Sequence, residues 1–246
     1  MAKSKKSKRY IEAIIAALVL VILIVLYLNT EMPEETGVLK CNGVNITAGV
    51  YKSYIYECTH DYFTNGGYTS YSDEEYLLHK EEFWSTAVNG ELPLEIIRKD
   101  VLEHIKYYAY YTIECKNNNV ILDGIDLQEL KAYVETEFKD IDTEMLLGVE
   151  KEDYLSYLAD IAKFNRYTDG QIITTNVTQK DIDEMYNLLK EGNPDITVEQ
   201  AKIEAQREIY YNKVESYLNA NSDKYEVEIL DEEVYDSIKI PNIFIK

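Results

Sequence analysis

The chain has 246 residues with 25 Lys+Arg against 45 Asp+Glu, a formal net charge of −20. An acidic excess of this size repels phosphate backbones and argues against a nucleic-acid partner. Three cysteines, Cys41, Cys58 and Cys115, are too few and too scattered for a disulfide framework, and their odd number leaves at least one thiol unpaired. There is no CxxC, and His60, His79 and His104 stand at no ligand spacing with any cysteine, so neither a metal nor a cofactor is expected.

In chain order, residues 1–10 form a basic tail with Lys3, Lys5, Lys6, Lys8 and Arg9. Residues 11–28 follow as IEAIIAALVLVILIVLYL, whose one charge is Glu12 at the edge. At about 1.5 Å per residue this run reaches roughly 27 Å, the thickness of a thin bilayer core. It predicts a membrane anchor from Ile11 through Leu20 to Leu28, with the lipid bilayer as a partner. The basic flank predicts a cytoplasmic N-terminus and an extracytoplasmic C-terminal part, in a single-pass cell-membrane protein. The apolar run is followed by Asn29, Thr30 and Glu31 rather than a small-residue cleavage site, which distinguishes it from a signal peptide. Residues 29–37, which include Pro33 and Gly37, read as a tether.

Residues 38–230 read as one mainly α-helical domain, and 231–246 as a C-terminal tail. Asn42-Gly43 between short apolar runs predicts a β-hairpin. Thr47 then caps a helix bearing Val50, Tyr51, Tyr54, Ile55 and Cys58, and residues 59–72 read as a loop. Pro93 suits the first turn of a helix with Leu94, Ile97, Val101, Ile105 and Tyr108 on one side, ending near Asn117. Asp126 and Glu129 form a capping-box pattern, with Ile125 stapled onto Leu130 ahead of Val134 and Phe138. Gly148 precedes a helix carrying Tyr154, Leu155, Leu158, Ile161 and Ala162. Thr178 with Asp181 starts a helix bearing Ile182, Met185, Tyr186 and Leu189, which stops at Gly192-Asn193-Pro194. Thr197 with Gln200 starts the last long helix, and the alternation from Tyr225 to Leu230 suits a strand.

This ordered series resembles the SurA/PrsA-type chaperone family. The opening CNGVNITAGVYKSYI, then Phe83-Trp84, then Asn89-Gly90 before a helix with a Leu-Ile-aromatic face, is similar to the first segments of that chaperone domain. VTQKDIDEMYNLLKE, from Val177 to Glu191, resembles the helix that precedes the parvulin isomerase module. The resemblance implies a membrane-anchored, extracytoplasmic chaperone or foldase with a small N-terminal β-hairpin. Its partners would be unfolded, extended polypeptides crossing the membrane. The family's parvulin module, by contrast, looks missing. After Tyr186 only about 60 residues remain, with one glycine and no histidine or cysteine. The expected passage across residues 177–197 is therefore helix to helix, and peptidyl-prolyl isomerase activity is not expected.

Twenty-three tyrosines offer contact area with a polar tip and few rotors to freeze. Tyr107, Tyr108, Tyr111, Tyr154 and Tyr210 are the candidate peptide-binding residues, in a groove between the N-terminal helices and the returning C-terminal helix. No catalytic residue is assigned. The alternatives are an envelope adaptor that docks one specific partner and a divergent prolyl isomerase.

Overall fold

The computed structural model describes residues 37–65, 82, 84–139 and 148–238. The described residues all belong to one compact unit, Gly37–Lys246. The transmembrane helix expected as the first element is not among the described helices, and the fold is corrected to a mainly helical domain with a small sheet. Among the described residues no helix is long and apolar enough to cross a membrane, and 11–28 lies outside them. The long helices here are amphipathic: Arg98, Lys99, Asp100, Glu103 and Lys106 crowd one stretch of a helix whose other side is buried. Among the described residues the structure shows seven α-helices and a three-stranded sheet.

The sheet begins with β1 (Leu39–Cys41) and β2 (Val44–Ile46), joined by Asn42 and Gly43 at φ 47° and 80°. Two consecutive positive φ values are what a two-residue turn needs to match the twist of its strands, and Asn-Gly adopts them at little cost. Leu39 and Cys41 are buried while Lys40 between them is exposed, so the period of two faces β1 onto the core. The expected isolated hairpin is corrected to a three-stranded sheet. The strand foreseen near residue 225 is β3 (Val227–Ile229), and it pairs antiparallel with the free edge of β1, Leu39 opposite Ile229. β1 is thus the central strand, with Leu230 and Asp231 both donating backbone N–H to Val38 O.

Helix α1 (Ala48–Asn65) starts at Thr47, whose Oγ1 accepts from Val50 N–H. It runs past the loop expected from residue 59, because Thr59 is wholly buried and returns its hydroxyl to Ile55 O within the helix. Gly49 sits where α1 meets a later helix: a Cβ there would lie 2.5 Å from Asp153 Cβ. A second Asn-Gly turn, Asn89-Gly90, closes the Val88–Glu91 bridge just before α2 (Pro93–Asn117). α2 buries Ile97, Val101, Ile105, Tyr108 and Tyr111.

Helix α3 (Gly124–Glu137) has its N-cap three residues before the expected one. Asp123 is the N-cap, accepting from Ile125 and Asp126 N–H, and Asp126 returns its carboxylate to Asp123 N–H. Ile125 is 68% exposed, so the expected staple to Leu130 is absent, and Val134 alone is fully buried on this helix. Leu127 is exposed as well. Arg166 explains where the first turn sits: it binds both Asp126, at 2.6 Å, and Ile121 O, at 2.7 Å.

Helix α4 (Lys151–Thr174) follows Gly148 at φ 64° and buries Tyr154, Tyr157, Phe164, Thr168 and Ile172. Of the expected face only Tyr154 is fully buried, and Leu155, Leu158, Ile161 and Ala162 are half-buried. Helices α1, α2 and α4 pack on one another around stacked rings. Tyr54 meets Tyr108 and Tyr157 edge-on, and Phe164 packs against Tyr108 and Tyr111. Tyr108 donates its hydroxyl to Asp160 at 2.7 Å.

The chain then enters a helical hairpin. α5 (Gln179–Gly192) is capped by Thr178 and Asp181, and α6 (Val198–Ala220) by Thr197 and Gln200, both as reciprocal boxes. Residues 193–197 pass directly from one helix to the next. α6 packs on α4, and α5 packs mainly on α6. After β3, the short α7 (Glu232–Ser237) lays Tyr235 on Tyr51, with centroids 5.2 Å apart. Arg98 lies over the Tyr235 ring and donates to the carbonyls of Tyr235, Asp236 and Ile238, holding the end of α7 against α2.

Candidate functional site: a tyrosine-walled cleft

Helices α2, α4 and α6 enclose a cleft of about 500 Å³. Its walls are Tyr110 from α2, Tyr167 from α4, and Tyr210 and Tyr217 from α6, with Val214 and Ile209 beside them. The local sequence sets this geometry. On α6, Tyr210, Val214 and Tyr217 recur at spacings of four and three and so share one side of the helix. Gln206, itself buried one turn earlier, donates its amide to Ile173 O at 3.1 Å and Thr175 O at 2.9 Å. Those are carbonyls at the C-terminal end of α4, which has no intrahelical donor for them, so one side chain satisfies the helix end and fixes the cleft mouth.

The cleft is amphipathic in the way its residue types dictate. Tyr167 donates its hydroxyl to Glu114 Oε2 at 2.8 Å. Burial, together with that hydrogen bond and the charge of Glu114, holds the Tyr167 phenol above its ordinary range. Burial also pushes Tyr110 up to about 12, with the Glu114 carboxylate adding to it. Tyr210 is raised chiefly by burial. All three rings therefore remain neutral O–H donors at physiological pH. Tyr217 leans on Tyr110 at 5.6 Å and is 46% exposed, the outermost wall. Flat rings with hydroxyl tips, and Thr174, Thr175 and Asn176 at the mouth, suit an extended chain that offers both apolar side chains and backbone groups.

Of the five tyrosines singled out in the sequence, Tyr210 lines this cleft. Tyr111 lies directly behind it, its ring against Tyr110 and Phe164, and its hydroxyl is buried with no hydrogen-bond partner among the described residues. Tyr108 and Tyr154 are buried in the body, and Tyr107 is half-buried on α2, one turn before Tyr110 and Tyr111, and is not among the cleft's lining residues. The structure does not bring these five together. Tyr110, Tyr167 and Tyr217 escaped the sequence reading, although the i, i+7 spacing of Tyr210 and Tyr217 was a usable signal. The anchor residues Ile11, Leu20 and Leu28 lie outside the described residues.

One other constellation has the residue types of a catalytic pair. Cys58 Sγ lies 3.8 Å from His104 Nδ1. That nitrogen is also 2.8 Å from Asp100 O. A carbonyl only accepts, so in that bond Nδ1 carries its proton and has no lone pair to take one from the thiol. Burial first, and then the nearby carboxylates of Asp100, Glu57 and Asp61, push the Cys58 thiol up to about 12. Cys41 and Cys115 are likewise free, buried and raised to about 11. These thiols are core residues rather than nucleophiles. Among the described residues no group of three His, Cys, Asp or Glu side chains is placed to hold a metal ion. No family model matches the chain, and neither a curated protein nor a solved structure is similar to it.

Proposed function

We propose that this protein is an extracytoplasmic, chaperone-like protein whose cleft binds extended segments of unfolded polypeptides. The observation that carries the reading is the tyrosine-walled cleft between α2, α4 and α6, of a size that accepts a few side chains. It lies between α2, α4 and the returning α6, and the SurA/PrsA resemblance implies a groove between the N-terminal helices and the returning C-terminal helix. The direct passage from α5 to α6 over residues 193–197 supports a lobe with no isomerase module inserted at that point. Location outside the cytoplasm rests on sequence, through the five basic residues that precede the apolar run at 11–28.

The test is light scattering from a chemically denatured enzyme diluted into buffer with increasing amounts of the full chain. Aggregation falls in the presence of the wild type. It falls less with Tyr217→Ala, which trims the exposed wall and leaves the buried core intact. A chain that leaves aggregation unchanged at molar excess rules the reading out.

A further inference from the structure

Beside the cleft, a second groove of about 290 Å³ lies between α5 and α6. Met185, Leu188 and Ile209 form its apolar surface, and Asp181, Glu184 and Glu208 stand around them. Ile209 lines both depressions, so the two adjoin at that residue of α6. Leu188 is 65% exposed, and α5 has no fully buried residue. A helix whose apolar side is only half covered by its single main neighbour leaves room for a further chain.

Charge decides what that chain is. Among the described residues the groove is lined by three carboxylates and no basic residue. In the cleft, Glu114 is engaged with Tyr167 and Lys213 is the one basic lining residue. A second copy of this chain is a poor occupant, because each copy carries a net −20. We infer that the α5–α6 groove extends the peptide-binding cleft and selects apolar segments flanked by lysine or arginine. The apolar side chains lie on Met185, Leu188 and Ile209, and the cations meet Glu184 and Glu208. Glu184 already pairs with Lys180 at 3.4 Å, with both side chains largely exposed, so an incoming cation exchanges with a weak surface pair.

This inference rests on the peptide-binding reading, and one experiment separates the two. Three fluorescein-labelled peptides share an apolar core of leucine, isoleucine and phenylalanine, flanked on both sides by paired lysines, serines or glutamates. Each is titrated against the full chain by fluorescence anisotropy. The lysine-flanked peptide binds roughly fivefold tighter than the serine-flanked one, and the glutamate-flanked one binds weakest, as two or three exposed ion pairs allow. The contrast shrinks as salt is raised. In Glu184→Gln/Glu208→Gln the contrast disappears. Equal affinities for the three peptides overturn the inference and leave the peptide-binding reading standing. A contrast that survives the double substitution overturns the placement in this groove, and binding of none of the three overturns both.

Discussion

The body and the α5–α6 hairpin are both helical, yet different forces hold them. In the body, Tyr51, Tyr157, Ile97, Val101 and Ile105 lose all or nearly all their exposure, and α1, α2 and α4 each touch the other two. In the hairpin, α5 keeps every residue at least partly exposed and leans mainly on α6. Its start is fixed instead by hydrogen bonds: Thr178 N–H and its hydroxyl both donate to Asp181 at 2.7 Å, and Asp181 N–H returns to Thr178 Oγ1. Burial makes a region stable against everything short of global unfolding. Capping and half-covered contacts make a region that opens alone, which is where binding surfaces are commonly found.

The sharpest way to break this contrast is to remove equal side-chain volume from each region. Ile105→Ala, in the middle of the body, costs about 3 kcal/mol of global stability by urea denaturation, the ordinary range for a core isoleucine. Leu189→Ala, on the half-buried face of α5, costs about 1 kcal/mol, because only part of its surface leaves water. Equal costs would show that α5 belongs to the body after all.

Gly49→Ala follows in size. The new methyl meets Asp153 Cβ, on the first turn of α4, so α1 and α4 must move apart. Overpacking of this kind costs roughly 2 kcal/mol and lowers the melting temperature of the whole domain. An unchanged melting temperature would mean that this junction is looser than the contrast requires.

Thr178→Ala removes one half of a capping box and costs about 1 kcal/mol, but locally. Amide hydrogen exchange speeds up across Gln179–Gly192 while α2 keeps its protection. Faster exchange throughout would instead couple the hairpin rigidly to the body.

The smallest effect comes from acid. Hydrogen bonds from Thr178 hold the Asp181 carboxyl below its ordinary value of 3.8. A depressed folded value stabilises the folded helix start above the ordinary range, and that contribution fades as pH falls below about 3.8. Protection of the first turn of α5, measured against the intrinsic exchange rate at each pH, therefore falls on acidification, and Asp181→Asn removes that fall.

Much of the fold was legible where the signal is local. Asn42-Gly43, Pro93, Thr178-Asp181, Thr197-Gln200 and Gly192-Asn193-Pro194 each set backbone geometry within a few residues, and each sits where its chemistry placed it. Errors arose where two local answers compete. Asp123 and Asp126 both suit a cap, and Arg166, some 40 residues away, decides between them by binding Asp126 and Ile121 O. The end of α1 was misread for a similar reason, since Thr59 looks like a helix breaker until its burial is known.

The candidate site was legible in outline only. At about 100° per residue, Tyr107, Tyr108, Tyr110 and Tyr111 spread over roughly 160° of α2, too wide an arc for one contact, and sequence cannot say which of them meets α6. Packing gives Tyr108 to the core and Tyr110 to the cleft. Sequence by itself determined the acidic charge, the helix starts and stops, and the turn that forms the hairpin. These depend on interactions within one or two turns of chain. Only the tertiary structure decided that β3 closes on β1, that α6 returns against α4, and which tyrosines are left to wall the cleft. Those outcomes depend on contacts between residues far apart in the chain, where side-chain shape and burial choose among faces that the sequence leaves equivalent.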